Sequence, residues 1–248
     1  MIAALGMYDM APLRAANDRL WNGIREALGY GPSRLTRDMD FWDIWQSPDL
    51  LLAQTCGLPY RTRLHGKVQL VGTPDYGLPG CPPGYYCSVI VTRADDPRET
   101  PAELAAGTMA FNDGRSQSGW ASPIAHLSAM GLRPAELLRS GGHALSARAV
   151  AEGRADFAAL DAVTWTLLRE HDPVSKDLRE VGRTEPTPGL PLITAKARDA
   201  AAIAEAVRAA IAGLSADDRA ALHLQGLVAI PAKDYLDLPT PAAPDAAA

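Results

Sequence analysis

The segment Phe111-Asn112-Asp113-Gly114-Arg115-Ser116-Gln117-Ser118-Gly119-Trp120 carries the strongest chemical signal in the chain. A strand-like run, Thr108–Phe111, precedes it and a helical pattern over Trp120–Met130 follows, so Ser116 and Ser118 fall where a helix begins. Backbone N–H groups lack intrahelical acceptors there, and the helix dipole is positive at that end. With two hydroxyls, the Gln117 amide and the N–H groups of Gly119 and Trp120, such a terminus can hold an oxyanion. Serine is also a favoured N-cap, so capping alone accounts for the same residues.

A second segment, Ser140-Gly141-Gly142-His143, puts an imidazole at another helix start. His143 there either meets a ligand or is merely solvated. Asp161 follows the apolar run Phe157–Leu160 and precedes a helix, which suits a cap, a ligand carboxylate or both. Earlier in the chain, Tyr8 closes the first strand-like run and offers a hydroxyl and a ring, although a core tyrosine reads the same way. Thr55 and Cys56 follow the run Asp49–Gln54, and Gly57 opens the next helix, making a second candidate anion cradle facing the one at Ser118. Cys56 could instead be a nucleophile, but that requires a depressed pKa and a partnered base, and no histidine stands near it in sequence. Asp75-Tyr76 and Tyr85-Tyr86 lie near the first of two expected lobe crossings, and Tyr86, which begins a strongly strand-like run, is the better cleft candidate.

Composition narrows the classes. The chain has 248 residues, 47% hydrophobic and 21% charged, enough for a packed core. It carries 24 basic and 29 acidic residues, net −5, with no basic run, so nucleic acid is not an expected partner. No apolar stretch approaches the roughly 18 to 20 residues that span a bilayer. The opening Met1–Asp9 has no basic n-region and only a short apolar run, so it reads as a strand and not as a cleaved export signal. As written, the chain would be cytoplasmic unless such a signal was replaced by Met1. The three cysteines, Cys56, Cys81 and Cys87, are an odd set. Cys81 and Cys87 could close a small loop in an oxidising compartment. Neither a zinc site nor any other metal or cofactor is expected, because no nearby Cys or His completes a ligand set.

The elements that must position these residues alternate. Strand-like runs at Ile2–Met7, Asp49–Gln54, Lys67–Gly72, Tyr86–Thr92, Thr108–Phe111, Phe157–Leu160, Leu178–Thr184 and Leu190–Thr194 are interleaved with helical patterns at Leu13–Leu28, Phe41–Gln46, Pro101–Ala106, Trp120–Met130, Ala144–Glu152, Val163–Arg169, Ala197–Ala212 and Ala216–Leu224. A short strand is expected at Leu227–Ile230, and the Pro/Ala-rich tail from Pro239 should fray. The alternation predicts an α/β fold with mostly parallel sheets. Two extended stretches, Tyr85–Arg93 and Arg183–Thr194, read as crossings between lobes. That predicts a discontinuous first lobe, 1–86 with 191–248, and a continuous second lobe, 87–190. Ligands of such folds sit between the lobes, at the C-terminal ends of strands.

On these residues the chain resembles the phosphate/phosphite/phosphonate substrate-binding proteins of ABC importers. The matching pattern is Ser116-Gln117-Ser118-Gly119, then Ser140-Gly141-Gly142-His143, then Ala155-Asp156-Phe157-Ala158-Ala159-Leu160-Asp161, with Tyr86-Cys87-Ser88-Val89-Ile90-Val91 similar to the family's crossing strand. Gln117 stands where phosphonate binders usually carry Thr. The resemblance implies a type 2 periplasmic-binding-protein fold, two α/β lobes around a cleft that closes like a hinge. It implies a non-catalytic, periplasmic solute-binding protein serving an ABC permease. Its Ser-x-Ser turn and histidine would hold phosphonate oxygens, and Asp161 would meet a ligand amine. The expected ligand is small and anionic or zwitterionic, and a monomer is expected. The alternative is a cytosolic enzyme or sensor on the same fold, acting on a small organic acid.

Overall fold

Three consecutive leucines set the centre of the first sheet. Leu50, Leu51 and Leu52 are wholly buried, as befits an apolar run covered on both faces. The computed structural model describes residues 1–244. Its strands are β1 (Ile2–Ala4), β2 (Leu50–Gln54), β3 (Val68–Asp75), β4 (Tyr85–Tyr86), β5 (Ser88–Arg93), β6 (Thr108–Phe111), β7 (Glu136–Arg139), β8 (Phe157–Asp161), β9 (Leu178–Arg183), β10 (Thr187–Pro188), β11 (Leu192–Ala195) and β12 (Gly226–Val228).

The chain divides into two units, Met1–Tyr85 with Pro188–Asp237, and Tyr86–Thr187 with the tail from Leu238. The first unit holds a sheet ordered β1-β2-β11-β3-β12. Its helix Arg14–Leu28 buries Ala16, Leu20, Trp21 and Ile24 at helical spacing. Gly29 ends that helix at φ +77°, donating its N–H to the Arg25 and Glu26 carbonyls, a left-handed cap that suits glycine. Helix Ala200–Ala212 packs close by. A Cβ on Gly23 would lie 3.3 Å from that of Ala210. Tyr235, on helix Ala232–Leu236, is wholly buried, with its hydroxyl 2.5 Å from Thr73 Oγ1.

The second unit holds a sheet ordered β7-β6-β8-β5-β9 over a core of Ile90, Leu104, Met109, Phe111, Trp120, Leu127 and Phe157. The strands β4 and β10 pair with each other as a two-stranded ribbon. The sheets are mixed, not mostly parallel. β6 runs parallel to β7 and β8, but β5 is antiparallel to both β8 and β9, and β11 is antiparallel to both β2 and β3. Other differences are local. The first strand stops at Ala4 because Gly6–Tyr8 coils into a 3₁₀ turn. The helix expected from Trp120 begins at Gln117, as a π-turn over Gln117–Ala121 running into Ser122–Ala129. Among the described residues no helix is long and apolar enough to cross a membrane.

Candidate functional site

The turn between β6 and its helix is built around Ser116 and Gly119. Ser116 caps the turn, its Oγ accepting from Gly119 N–H at 3.0 Å. The Gly119 N–H, expected to point outward, is therefore satisfied within the turn, while the Ser116 hydroxyl keeps a hydrogen to donate. Gln117 does not face outward. It is buried, and its Nε2 donates to Ser122 Oγ at 2.8 Å. Trp120 packs against Phe111 at 5.1 Å between ring centroids, and its indole N–H donates to the Ala242 carbonyl of the tail. That side chain belongs to the core and the tail contact.

Ser118 and His143 come together as the sequence suggested. Ser118 is buried, and its Oγ lies 3.0 Å from His143 Nε2. Asn112, at the end of β6, places its Nδ2 3.4 Å from the same nitrogen. An amide nitrogen only donates, so the network assigns Nε2 as acceptor and the proton to Nδ1. Nδ1 is shielded from solvent, with no hydrogen-bond partner of full geometry; a weaker backbone interaction with Ala159 is directed at the ring. Glycine is required at 119 for space. A Cβ there would fall 1.9 Å from Asn112 Oδ1 and 3.2 Å from His143 Cε1. Asn112 is thus a member of the site that the sequence reading passed over. A polar residue closing an apolar strand was the available signal.

Burial pulls the His143 pKa down to about 4, the Ala159 backbone opposing it weakly. The imidazole is neutral at pH 7 and acts through hydrogen bonds, not charge. An unfolded histidine titrates near 6.5. Between pH 6.5 and 4 the unfolded chain takes up a proton that the folded protein refuses, so this group's contribution to stability is full above about pH 6.5, falls as pH drops towards 4 and levels off below. Imidazole NMR should find His143 titrating near pH 4, and the pH slope of denaturant stability over that window should shrink in His143→Gln.

Asp161 ends β8 and is buried. Its Oδ1 accepts from Thr164 N–H at 2.9 Å, so it caps the helix Ala162–His171. It pairs across the sheet with Ser88, whose Oγ donates to the Ser118 carbonyl at 2.8 Å. Asn112, Ser118 and Asp161 therefore gather at one end of the sheet, beyond the C-termini of β6 and β8, where α/β sheets present ligand groups. The adjacent cations are engaged nearby. Arg115 and Arg139 both donate to Asp113.

In the first unit, Tyr8 lies edge-on to Tyr76 at 5.2 Å, and the Tyr76 hydroxyl accepts from Gln54 Nε2 at 3.2 Å. This brings Tyr8 towards the end of β2, where Thr55 is wholly buried with an Oγ1 that meets no hydrogen-bond partner, and Cys56 is half-buried. Gln54 was not among the residues singled out from sequence, and Tyr76 was ranked below Tyr86 there. Tyr86 is buried in β4. Cys56, Cys81 and Cys87 are all thiols, so the small loop is not closed by a disulfide. Among the described residues no group of His, Cys, Asp and Glu is arranged to hold a metal ion.

The two sheets and the helices packed on them make the fold of a type 2 periplasmic-binding protein. Within that class, the chain belongs to the phosphonate family of periplasmic substrate-binding proteins of ABC transporters, whose model matches residues 52–235. No curated protein sequence matches it. Among solved structures, PhnD1 from Prochlorococcus marinus in complex with methylphosphonate is similar with a TM-score of 0.75 at 14% identity, over 94% of this chain and 93% of that one. A binding protein component of an ABC phosphonate transporter from Pseudomonas aeruginosa gives 0.70 at 17% identity, over 95% and 82%. XAC2383 from Xanthomonas citri, bound to chloride ion, gives 0.68 at 17% identity, over 94% and 92%.

Proposed function

We propose that this protein captures a small oxyanion-bearing ligand of the phosphonate or phosphate type and, as a monomer, delivers it to an ABC permease. The observation that carries this reading is the pairing of Ser118 Oγ with His143 Nε2 at 3.0 Å, on the opening turn of a helix and with Asn112 beside it. On binding, Ser118 turns its hydroxyl hydrogen to a ligand oxygen, and Asn112 Nδ2 keeps His143 Nε2 satisfied. Family membership supports a periplasmic transport role.

The same geometry favours binding over catalysis. A Ser–His pair resembles the start of a nucleophilic site, but a general base works best with a pKa near the operating pH. His143, held near 4, is too weak a base to activate Ser118 at neutral pH.

Asp161 narrows the ligand. An ionised carboxylate repels a full anion, so its position at the same sheet end favours a ligand that brings a donor there: a zwitterion such as an aminoalkyl phosphonate, or an oxyanion that keeps one O–H. A thermal-shift screen over size-matched phosphonates, phosphate, sulfonates and carboxylates tests the class, since a ligand of the native state raises the melting temperature by mass action. Phosphonates should give the largest shift; a shift confined to carboxylates would refute the reading. Asp161→Asn keeps the cap, because Asn caps as well as Asp. It should lower affinity for an aminoalkyl phosphonate about tenfold or more and leave methylphosphonate binding equal or tighter. Equal binding of amino-bearing and amino-free analogues by the unmutated protein would leave Asp161 as a helix cap.

A further inference from the structure

We infer that Ser88 is a positioning residue that holds the Ser118 turn in register with the chain segments entering and leaving the second unit. The ligand arm of this inference rests on the function proposed above; the structural arm does not.

Ser88 is the first residue of β5 and is 1% exposed. All its polar groups are engaged. Its Oγ donates to the Ser118 carbonyl at 2.8 Å, its N–H donates to Thr184 Oγ1 at 2.9 Å, and its carbonyl accepts from Thr184 N–H at 3.0 Å. Thr184 is itself buried and directly follows β9. Tyr85–Tyr86 just before Ser88 and Thr187–Pro188 just after Thr184 pair with each other. The chain just beyond β4 and the chain just before β10 are thus joined to each other at Ser88 and Thr184, and from Ser88 one more hydrogen bond reaches the carbonyl of the residue whose hydroxyl meets His143.

The strand itself does not demand a hydroxyl here. The following residues, Val89, Ile90 and Val91, are buried and apolar, and an apolar side chain at 88 would suit the same interior. A serine in that place leaves a polar group in the core that must be satisfied, and Ser118 satisfies it. The clamp acts on the backbone of Ser118, so it fixes where Oγ points without touching a ligand. Ser88 also faces Asp161 in the β5–β8 register, so one residue relates both halves of the site.

The test compares Ser88→Ala, Ser88→Thr and Thr184→Val with the unmutated protein in two measurements. The first needs no ligand: side-chain NMR of His143. If Ser88 positions the turn, Ser88→Ala loosens the Ser118–His143 contact and admits water. The His143 Nε2 resonance should move and its titration rise from about 4 towards the ordinary histidine value. Ser88→Thr retains the hydroxyl and should restore the original titration. Thr184→Val should shift it in the same direction as Ser88→Ala. The second measurement is calorimetry with methylphosphonate and inorganic phosphate. Ser88→Ala should weaken binding about tenfold, with Ser88→Thr recovering it. A Ser88→Ala protein whose His143 resonances and titration match the unmutated protein overturns the inference, whatever the ligand data show. If the unmutated protein binds neither probe, the phosphonate reading fails while the NMR comparison still decides the role of Ser88. Should Ser88→Ala not fold, Thr184→Val carries the same comparison.

Discussion

Gly119→Ala should all but eliminate ligand binding, by the largest margin of any single methyl added to the protein near this site. The new Cβ would stand 1.9 Å from Asn112 Oδ1, 2.8 Å from Asn112 Cγ and 3.2 Å from His143 Cε1. Neither neighbour can move independently, because Asn112 Nδ2 and Ser118 Oγ share His143 Nε2. Overpacking of this kind costs about 1–3 kcal/mol of stability. The affinity loss should be larger, on the order of 100-fold, because site groups displaced by an ångström lose most of their effect. Removing the obstacle separates the two losses. The double variant Asn112→Ala/Gly119→Ala should regain most of the melting temperature and little of the affinity. A Gly119→Ala protein that binds like the unmutated one would mean that the turn is not at the ligand.

Ser118→Ala and His143→Ala come next. A hydrogen bond to a charged group is worth about 1.5–3 kcal/mol, so Ser118→Ala should weaken binding by about tenfold or more, and His143→Ala should weaken it similarly by releasing the Ser118 hydroxyl and the Asn112 amide that its Nε2 holds in place. Ser118→Ala should do so with little change in stability, since the cap of this turn is Ser116 and not Ser118. The two act as a pair, so the double variant should lose less than the product of the single effects, which a double-mutant cycle by calorimetry measures directly. Unchanged affinity in both single variants places the site elsewhere.

The sequence marked the fold more fully than the chemistry. Thr108–Phe111 and Phe41–Gln46 are legible to the residue, because short apolar or aromatic runs there sit between strong turn and cap residues such as Asp40. β7 was missed. It is a largely exposed edge strand, Glu-Leu-Leu-Arg, with no alternation of buried and open positions to betray it. Helix Ala232–Leu236 was missed because five residues hold too little periodicity, and its anchor, the Tyr235–Thr73 contact, is a long-range one. Strand direction was misjudged because side-chain period is the same in parallel and antiparallel sheets.

At the site, the pattern of Ser116, Ser118 and His143 was visible, but its division of labour was not. Which serine caps and which one faces His143 depends on the π-turn, and a π-turn has no spacing signature in a stretch this short. Ser88 was hidden for a different reason. A lone serine in an apolar strand is unremarkable until the carbonyl it meets, thirty residues along the chain, is placed beside it.

If the opening turn at Ser116–Gly119 receives the acidic end of the ligand, a crystal structure of the methylphosphonate complex should show a phosphonate oxygen about 2.5–3.0 Å from Ser118 Oγ, the ordinary span of such a bond, with the His143 ring against the same group. A phosphonate bound with no contact to Ser118 or His143 would place the acidic end of the ligand elsewhere.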